Sequence, residues 1–283
     1  LRGSMEADVV VIGAGYTGLS SALHLAEAGF KVVVLEAAKV GWGASGRNGG
    51  QLVHSYSRDM DVIEARYGVT TAQALGSMAF GGAKIIRERI EKYQIDCHFK
   101  PGGMFAAITA KQVKQLEHHK QLWERYGHQQ LSLLDATESE AAIGTGRYRA
   151  TLLDHSAGHM HPLRLAQGEA AAFESLGGVV HEGSPVLRIE RGDPAVVHTA
   201  QGQVKARFVI VACNAYIGGL EPQLAMTARD ALQAAGIATA VVSLPCWELF
   251  AAQDDAYRAI RRRLDGRQIS DLEHMPLTED PRI

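Results

Sequence analysis

Three glycines near the N-terminus, Gly13, Gly15 and Gly18, stand at the spacing G-x-G-x-x-G. They follow the apolar residues 8–12, which have the length and β-branched composition of a buried parallel strand, and they precede a segment with helical periodicity. In such a turn the first glycine permits the tight bend, the second lets the backbone approach a pyrophosphate, and the third lets the helix pack closely on the strand. A second apolar strand ends at Glu36, whose carboxylate can accept hydrogen bonds from a ribose 2′-hydroxyl. The segment therefore predicts a strand–turn–helix–strand unit that binds a dinucleotide.

A second glycine-rich segment, residues 41–51, reads GWGASGRNGGQ and comes shortly after Glu36. Its many glycines disfavour the interior of a helix or strand and leave backbone N–H groups accessible. Ser45 and Arg47 add side-chain donors that suit a phosphate. Alone, the segment reads as a flexible surface loop, whereas its position after the ribose-binding acid favours a second wall of the cofactor cleft.

Together the two segments resemble the FAD-dependent D-amino-acid oxidase superfamily, and in particular its gamma-glutamylputrescine oxidase branch. The likeness extends over about residues 7–225 and includes residues 54–59, 85–90, 102–107, 122–127, 158–163 and 209–216. The resemblance implies FAD as the cofactor. It also implies oxidation of the primary amine of gamma-glutamylputrescine, or of a related amine or amino acid, to an imine and then an aldehyde, with O2 as acceptor and H2O2 and ammonia as products.

The predicted FAD-binding residues lie in the turn, at the acid and in the second glycine-rich segment. The turn and the acid contribute Gly13, Ala14, Gly15, Tyr16, Thr17, Gly18 and Glu36. The glycine-rich segment contributes Gly43, Ala44, Ser45, Gly46, Arg47, Asn48, Gly49 and Gly50. By resemblance alone, the strand beginning near Val186 passes beneath the adenine, and the turn at Ala212 closes over the pyrophosphate. Gln51, His54 and Tyr56 are candidates for residues near the flavin, with ordinary packing as the alternative, and the catalytic groups are unknown.

The predicted fold class is α/β, with a Rossmann-like FAD-binding domain and an inserted, truncated α+β substrate domain. The FAD-binding domain comprises residues 5–60 and 155–225, and the partial substrate domain comprises residues 61–154. Within the insertion we expect helices over 72–93 and 111–126, and short strands over 97–100 and 104–109 around a turn at 101–103. After it we expect a helix from Pro162, then strands over 179–180, 185–189, 195–199 and 204–211. Residues 1–4 look like an expression remnant and are left out of the fold prediction.

The likeness to the oxidases stops near residue 225, and residues 227–258 resemble part of the C-terminal domain of transketolase. That piece is structural in transketolases and does not hold thiamine diphosphate. It reads as a helix–strand–helix segment over 226–263, too short to build an independent core. The polar tail 264–283 is expected to be frayed. We therefore expect a truncated oxidase joined to a foreign segment.

Composition argues against several other function classes. The formal net charge is −2, with acids and bases interspersed, which argues against a nucleic-acid partner. No signal peptide and no apolar stretch of ~18 residues is recognisable, and three widely spaced cysteines suggest a reducing compartment, so we expect a cytoplasmic protein without a membrane span. His155, His159 and His161 are possible metal ligands, but no carboxylate or cysteine completes the set. Capping and packing before Pro162 are favoured, and no metal is predicted.

Three functions remain open from the sequence. The first is an FAD-dependent amine oxidase whose partners are a small-molecule amine and O2. The second is a catalytically inactive FAD- or dinucleotide-binding remnant or chimera, and the third is a transketolase-related structural module. The glycine fingerprint by itself is also compatible with a nicotinamide cofactor. The sequence does not indicate the oligomeric state.

Overall fold

The computed structural model describes residues 1–54, 56 and 58–217. Its first elements are β1 (Gly3–Ile12), α1 (Tyr16–Glu27) and β2 (Val32–Leu35), which form the predicted strand–turn–helix–strand unit. β1 and β2 pair in parallel, and all of β2 is buried. A parallel strand that is covered on both faces must be apolar on both, which explains the unbroken apolar runs in the sequence.

The chain then leaves this sheet and builds a second, antiparallel sheet with its own helices. The elements are β3 (Gln51–Leu52), α2 (Met60–Tyr67), α3 (Val69–Lys92), β4 (Lys100–Ala107), α4 (Ala110–Arg125), β5 (Leu131–Leu134), α5 (Ala136–Ile143) and β6 (Ala150–His159). β6 pairs with β3, β4 and β5. Apolar residues of α2, α3 and α4 pack on β6, where Leu152 is fully buried.

The turn predicted at residues 101–103 is wrong, because β4 runs as one strand along β6. The register shifts between Pro101 and Gly103, which pair with Gly158 and Asp154, so the extra residues of this irregularity lie in β6. Gly102 has a φ of 89°, which glycine adopts without steric strain. Because β6 supplies hydrogen-bonding groups to both halves of β4, the strand continues through residues that locally favour a turn.

The return to the first sheet follows the prediction. α6 (Pro162–Ser175) begins at the expected proline, and β7 (Val179–His181), β8 (Val186–Glu190), β9 (Ala195–Thr199) and β10 (Gly202–Val211) follow. The strand order is β7-β2-β1-β10-β9-β8, with β10 parallel to β1. Leu19 and Leu23 of α1 and Phe173 of α6 are fully buried in a common core that covers the sheet.

Residues 1–4, which the prediction left out, contribute to the first sheet. β1 begins at Gly3, which pairs with Gly202, and the ammonium group of Leu1 donates to Oγ of Ser184 at 2.6 Å. β10 is as long as β1, and the two strands pair from Gly3 onwards, so β10 provides the partner of this N-terminal extension.

Leu1–Ala212 form one compact unit, and the predicted domain boundary at residue 154 falls inside β6. Beyond this unit the structure describes a short 3-10 helix, Asn214–Ile217. The predicted segments 226–263 and 264–283 lie outside the described residues. Within the described part of the chain, no helix combines the length and apolarity that crossing a bilayer requires.

Candidate cofactor site

The glycine turn brings the end of β1 close to the start of α1. Gly13 has a φ of 103°, in the region that favours glycine. A Cβ atom on Gly18 would overlap the carbonyl oxygen of Gly13 and lie 3.3 Å from Cγ1 of Val11. Gly15 is the N-cap residue of α1 and has no side chain to occupy the space in front of the helix. The N–H groups of the first turn and the positive end of the helix dipole therefore suit a phosphate group.

Glu36 lies at the end of β2, beside this turn. Its Oε2 accepts a hydrogen bond from the N–H of Ala14 at 2.7 Å, and its Oε1 accepts one from the N–H of Ala38 at 2.8 Å. Its own N–H donates to the carbonyl of His181 at 2.9 Å, and its carbonyl accepts from the N–H of Ser184 at 2.8 Å. The carboxylate is thereby fixed next to the turn, and each of its oxygens keeps a lone pair for a hydroxyl donor.

The second glycine-rich segment packs directly on the turn. The N–H of Gly41 donates to the carbonyl of Ala14 at 2.9 Å, and Oγ of Ser45 accepts from the N–H of Tyr16 at 3.0 Å. Between these contacts, Ala44–Gly46 form a short 3-10 helix. These contacts favour the interpretation of residues 41–51 as the second wall of the cofactor cleft over the alternative of a flexible surface loop.

Asn48 and Arg47, two polar residues of this segment, make different kinds of contact. Nδ2 of Asn48 donates to the carbonyl of Ser45 at 2.9 Å, and its Oδ1 accepts from the N–H of Gly50 at 2.8 Å. The guanidinium of Arg47 lies 4.4 Å from the ring centroid of Trp42. Asn48 therefore holds the loop in shape, while Arg47, predicted to be a phosphate donor, is in a cation–π contact.

The two residues carried over from the resemblance begin or follow strands of the first sheet. Ala212 follows β10, and its N–H donates to the carbonyl of Ile12 at 2.8 Å, so it lies beside the glycine turn. Val186 begins β8 and pairs with Thr199. Ser184, which bonds to Glu36, precedes it closely in the chain. Cofactor contacts at both positions remain predictions.

A cavity of about 410 Å³ opens beside the start of α1. Its lining residues are Tyr16, Thr17, Ser20, Asn48, Gly50, Gln51, Leu52, Val53, Gly82, Ile85, Ile86, Arg89, Met160, Leu165 and Glu169. Predicted cofactor residues of the turn and of the glycine-rich segment therefore face the same space as apolar side chains of α3.

A buried ion pair, which the sequence analysis missed, also lines this cavity. Nη1 of Arg89 lies 3.2 Å from Oε1 of Glu169, and the side chains are only 5% and 4% exposed. Arg89 also donates to Oγ of Ser20 at 2.8 Å. Burial raises the pKa of Glu169 above its usual value, although the charge of Arg89 opposes the rise. The only sequence signal was a charged residue at a buried position in each of two amphipathic helices.

Comparison with known proteins identifies the family, because the model of the FAD-dependent oxidoreductases (DAO) matches residues 8–271. The chain belongs to this family. It is 61% identical over 226 residues to the gamma-glutamylputrescine oxidoreductase of Escherichia coli, a match that covers 80% of this chain and 53% of that protein. The chain spans about half the length of the curated relatives it matches. The family implies FAD as the cofactor.

Two further similarities concern the fold and the C-terminal sequence. The structure of glycine oxidase from Geobacillus kaustophilus has a TM-score of 0.60 at 21% identity, covering 78% of this chain and 58% of that one, which supports the α/β fold. A short part of the chain is 48% identical over 59 residues to transketolase from Rhodobacter capsulatus, covering 21% of this chain and 8% of that protein. Both resemblances stated from the sequence are confirmed, but the family model continues to residue 271, past the predicted end of the oxidase resemblance near residue 225.

The three candidates for residues near the flavin in this FAD-dependent oxidoreductase are not brought together. Gln51 lines the cavity. The side chain of Tyr56 is exposed, and its hydroxyl donates to the carbonyl of Leu75 at 2.9 Å. His54 is buried and is not among the residues that line this cavity. Gln51 alone of the three faces the same space as the predicted cofactor residues.

The three histidines considered as metal ligands have other contacts. His161 is the N-cap of α6, where its Nδ1 accepts from the N–H of Arg164 at 3.4 Å, as the capping alternative predicts. Nε2 of His155 lies 2.9 Å from Oγ of Ser132. His159 ends β6 with an exposed side chain.

The described residues instead bring together His54, His128 and Asp154, which are all buried. Nε2 of His128 lies 2.9 Å from Oδ2 of Asp154, and Nε2 of His54 lies 3.6 Å from the same oxygen. Burial alone would raise the pKa of Asp154, but hydrogen bonds from His128 and Ser156 and the nearby histidines lower it to about 2. Burial lowers the pKa of His54, which favours its neutral ring. The sequence analysis missed this group because its members are far apart in the chain.

Proposed function

We propose that this chain belongs to an FAD-dependent oxidase that converts the primary amine of gamma-glutamylputrescine, or of a related amine or amino acid, to an aldehyde. The observation that carries the proposal is the 61% identity over 226 residues with the gamma-glutamylputrescine oxidoreductase of Escherichia coli. In the proposed net reaction, R–CH2–NH3⁺, O2 and H2O give R–CHO, NH4⁺ and H2O2. The amine carbon loses two electrons and O2 gains them, so no further reductant or oxidant is needed.

The geometry of the turn fits the adenosine and pyrophosphate parts of FAD. The N–H groups of Gly15 and Thr17 at the start of α1 would bind the pyrophosphate, since those of Gly13, Ala14 and Tyr16 donate within the protein, and Glu36 would accept the ribose hydroxyls. A Cβ at Gly15 would meet only Oγ of Ser45, at 2.9 Å, so the space in front of the helix is bounded by a side chain and not by backbone. When bound, FAD supplies the acceptor for two electrons from the carbon–nitrogen bond and passes them to O2.

The residues around the cavity would orient ligands and exclude water. The hydroxyl of Tyr16 donates to the carbonyl of Pro162 at 2.9 Å, and burial raises its pKa, so it stays protonated and in place near neutral pH. Ile85 and Met160 give the cavity apolar surface. The amide of Gln51 offers both a donor and an acceptor to a ligand there.

The deciding experiment is an absorbance spectrum of the purified protein after incubation with FAD and gel filtration. Gamma-glutamylputrescine is then added without oxygen, with free putrescine in a parallel sample. We expect flavin bands that co-elute with the protein and bleach with the amine, followed by H2O2 formation when air is admitted. Flavin that stays oxidised with both amines would reduce the proposal to a cofactor-binding module, and a colourless protein would refute it for this chain.

A pair of variants tests the assignment of the ribose acceptor. Glu36→Gln keeps one acceptor oxygen but removes the charge that strengthens hydrogen bonds to hydroxyl groups. We expect FAD affinity to fall by about tenfold, which corresponds to ~1.4 kcal/mol. Glu88→Gln is the matched control, because the Glu88 side chain is 62% exposed on α3 and its ion pair among the described residues is with Lys84 at 3.6 Å. Equal FAD affinity of the two variants would show that Glu36 does not bind the ribose.

A further inference from the structure

Three polar side chains meet inside the second sheet, and we call them the buried triad: His54, His128 and Asp154. His54 follows β3, His128 precedes β5, and Asp154 lies in β6. Their side chains are 1%, 4% and 1% exposed. One ligand-type atom from each lies within 4.8 Å of the others. The set of two imidazoles and one carboxylate is one that binds divalent transition metals in proteins.

Two of the three ligand residues of the triad, Asp154 and His54, are oriented by backbone groups on the side away from the other triad atoms. Oδ1 of Asp154 accepts hydrogen bonds from the N–H groups of Ser156 and Ala157 at 2.9 and 3.2 Å, which directs Oδ2 towards the histidines. Nδ1 of His54 lies 3.3 Å from the carbonyl oxygen of Ala79. A carbonyl only accepts, so this contact places the ring hydrogen on Nδ1 and leaves a lone pair on Nε2. Backbone carbonyls commonly orient metal-binding histidines in this way.

With the ring hydrogen of His54 on Nδ1, the hydrogen bonds around its Nε2 are not all satisfied. Nε2 of His54 faces Oγ of Ser156 at 2.8 Å and Oδ2 of Asp154 at 3.6 Å. Oγ of Ser156 also lies 2.7 Å from Oδ1 of Asp154, but a hydroxyl has only one hydrogen to donate. If that hydrogen goes to Asp154, Nε2 of His54 faces oxygen lone pairs. A hydrogen on Nε2 of His54, or a metal ion between the three residues, resolves the conflict.

We propose that the buried triad binds one divalent transition-metal ion, with Zn²⁺ as the reference metal, through Nε2 of His54, Nε2 of His128 and Oδ2 of Asp154. On binding, the hydrogen that Nε2 of His128 directs at Asp154 moves to Nδ1 of the same ring, so that Nε2 is free to ligate. Two ligands bound tetrahedrally at ~2.0 Å lie about 3.3 Å apart. The separations of 2.9 and 3.6 Å in the triad lie on either side of this value. Oγ of Ser156 is close enough to His54 to bind as a fourth ligand after a small shift.

The surroundings indicate a structural site. The ring of Phe80 stacks on His128 with centroids 4.8 Å apart, and the ring of Trp123 lies 6.0 Å from His128. A bound ion would connect β6 with the chain after β3 and before β5, and so would stabilise the second sheet. The guanidinium of Arg87 donates to the carbonyl of Ser156 and provides positive charge nearby. This inference is independent of the proposed oxidase activity.

The test uses the full chain, treated with a chelator, dialysed and titrated with Zn²⁺ in a calorimeter. We expect one ion per chain with a Kd of about 10 µM or tighter, and a higher Tm in the loaded protein. His128→Asn and Asp154→Asn should each weaken binding by at least about 100-fold. His155→Asn should leave it unchanged, because the exposed His155 neighbours the triad in sequence but contacts Ser132. Binding that survives both triad variants would place the metal elsewhere and overturn the proposal.

A second measurement needs no variant and therefore does not depend on the variants folding. X-ray absorption at the zinc edge of the loaded parent protein should show two imidazole ligands and oxygen, without sulfur. Sulfur ligation, or the absence of saturable binding, would refute the site. In the latter case a hydrogen on Nε2 of His54 accounts for the contacts.

Discussion

Alanine at Gly18 tests whether the close approach of α1 to β1 holds the cofactor turn together. The added Cβ would overlap the carbonyl oxygen of Gly13, a backbone atom that cannot rotate away, and would lie 3.3 Å from Cγ1 of Val11. The start of α1 must therefore withdraw by roughly 1 Å to restore ordinary separations. Leu19 and Leu23, which are fully buried on the same helix, would lose part of their packing.

The magnitude follows from two opposing effects. Overpacking of a buried contact destabilises a fold by about 1–3 kcal/mol, and a clash with backbone lies at the upper end of that range. Alanine in place of glycine inside a helix stabilises it by about 1 kcal/mol. We therefore expect Gly18→Ala to lower the free energy of unfolding by about 2 kcal/mol.

The assay is urea denaturation followed by far-ultraviolet circular dichroism, with Gly81→Ala as the matched control. Gly81 also lies in a helix, but a Cβ there would have no atom within 4 Å, so this change should raise stability by up to ~1 kcal/mol. The two variants should differ by about 3 kcal/mol in the free energy of unfolding. A Gly18→Ala protein as stable as the parent would show that the close approach does not constrain the turn.

Further predictions concern cofactor binding, the ion pair and a helix cap. Gly15→Ala should leave stability nearly unchanged, because the new Cβ meets only the movable Oγ of Ser45 at 2.9 Å, but it should lower the amount of FAD retained on gel filtration. Glu169→Leu should destabilise the fold by about 3 kcal/mol by leaving Arg89 buried and unpaired. Adding Arg89→Met should recover most of that loss in urea denaturation, and no recovery would contradict a pairwise interaction. Thr109→Ala should lower the free energy of unfolding by about 1 kcal/mol, because this side chain caps α4, and an unchanged urea midpoint would disprove that role.

Much of the cofactor turn could be predicted because its interactions are local. The spacing of Gly13, Gly15 and Gly18 and the position of Glu36 describe one short strand–turn–helix–strand unit, in which neighbouring residues define the geometry. The prediction for β4 was wrong because residues 101–103 locally favour a turn, while pairing with β6 favours a strand. The N-terminal residues were wrongly excluded for the same reason, since β10 provides their partner.

The contacts between polar side chains in the interior could not be predicted from the sequence. Arg89 and Glu169 lie on different helices, and the members of the buried triad come from β6 and from the segments after β3 and before β5. Each residue looks ordinary in its own segment, because helical and strand periodicity report burial but not which buried partner will be opposite. Of the three candidates beside the flavin, the structure leaves Gln51 at the cavity.

The sequence by itself determined the elements whose stability depends on neighbours within a few residues: the glycine turn, the first two strands, the starts of α4 and α6, and the acid beside the turn. It also carried the resemblance that identified the family. Only the tertiary structure decided where the strands extend, which charges pair inside, and that His54 joins His128 and Asp154. The physical reason is that these contacts join residues distant in the chain. Their energies depend on burial and hydrogen bonding, which exist only when the sheets are assembled.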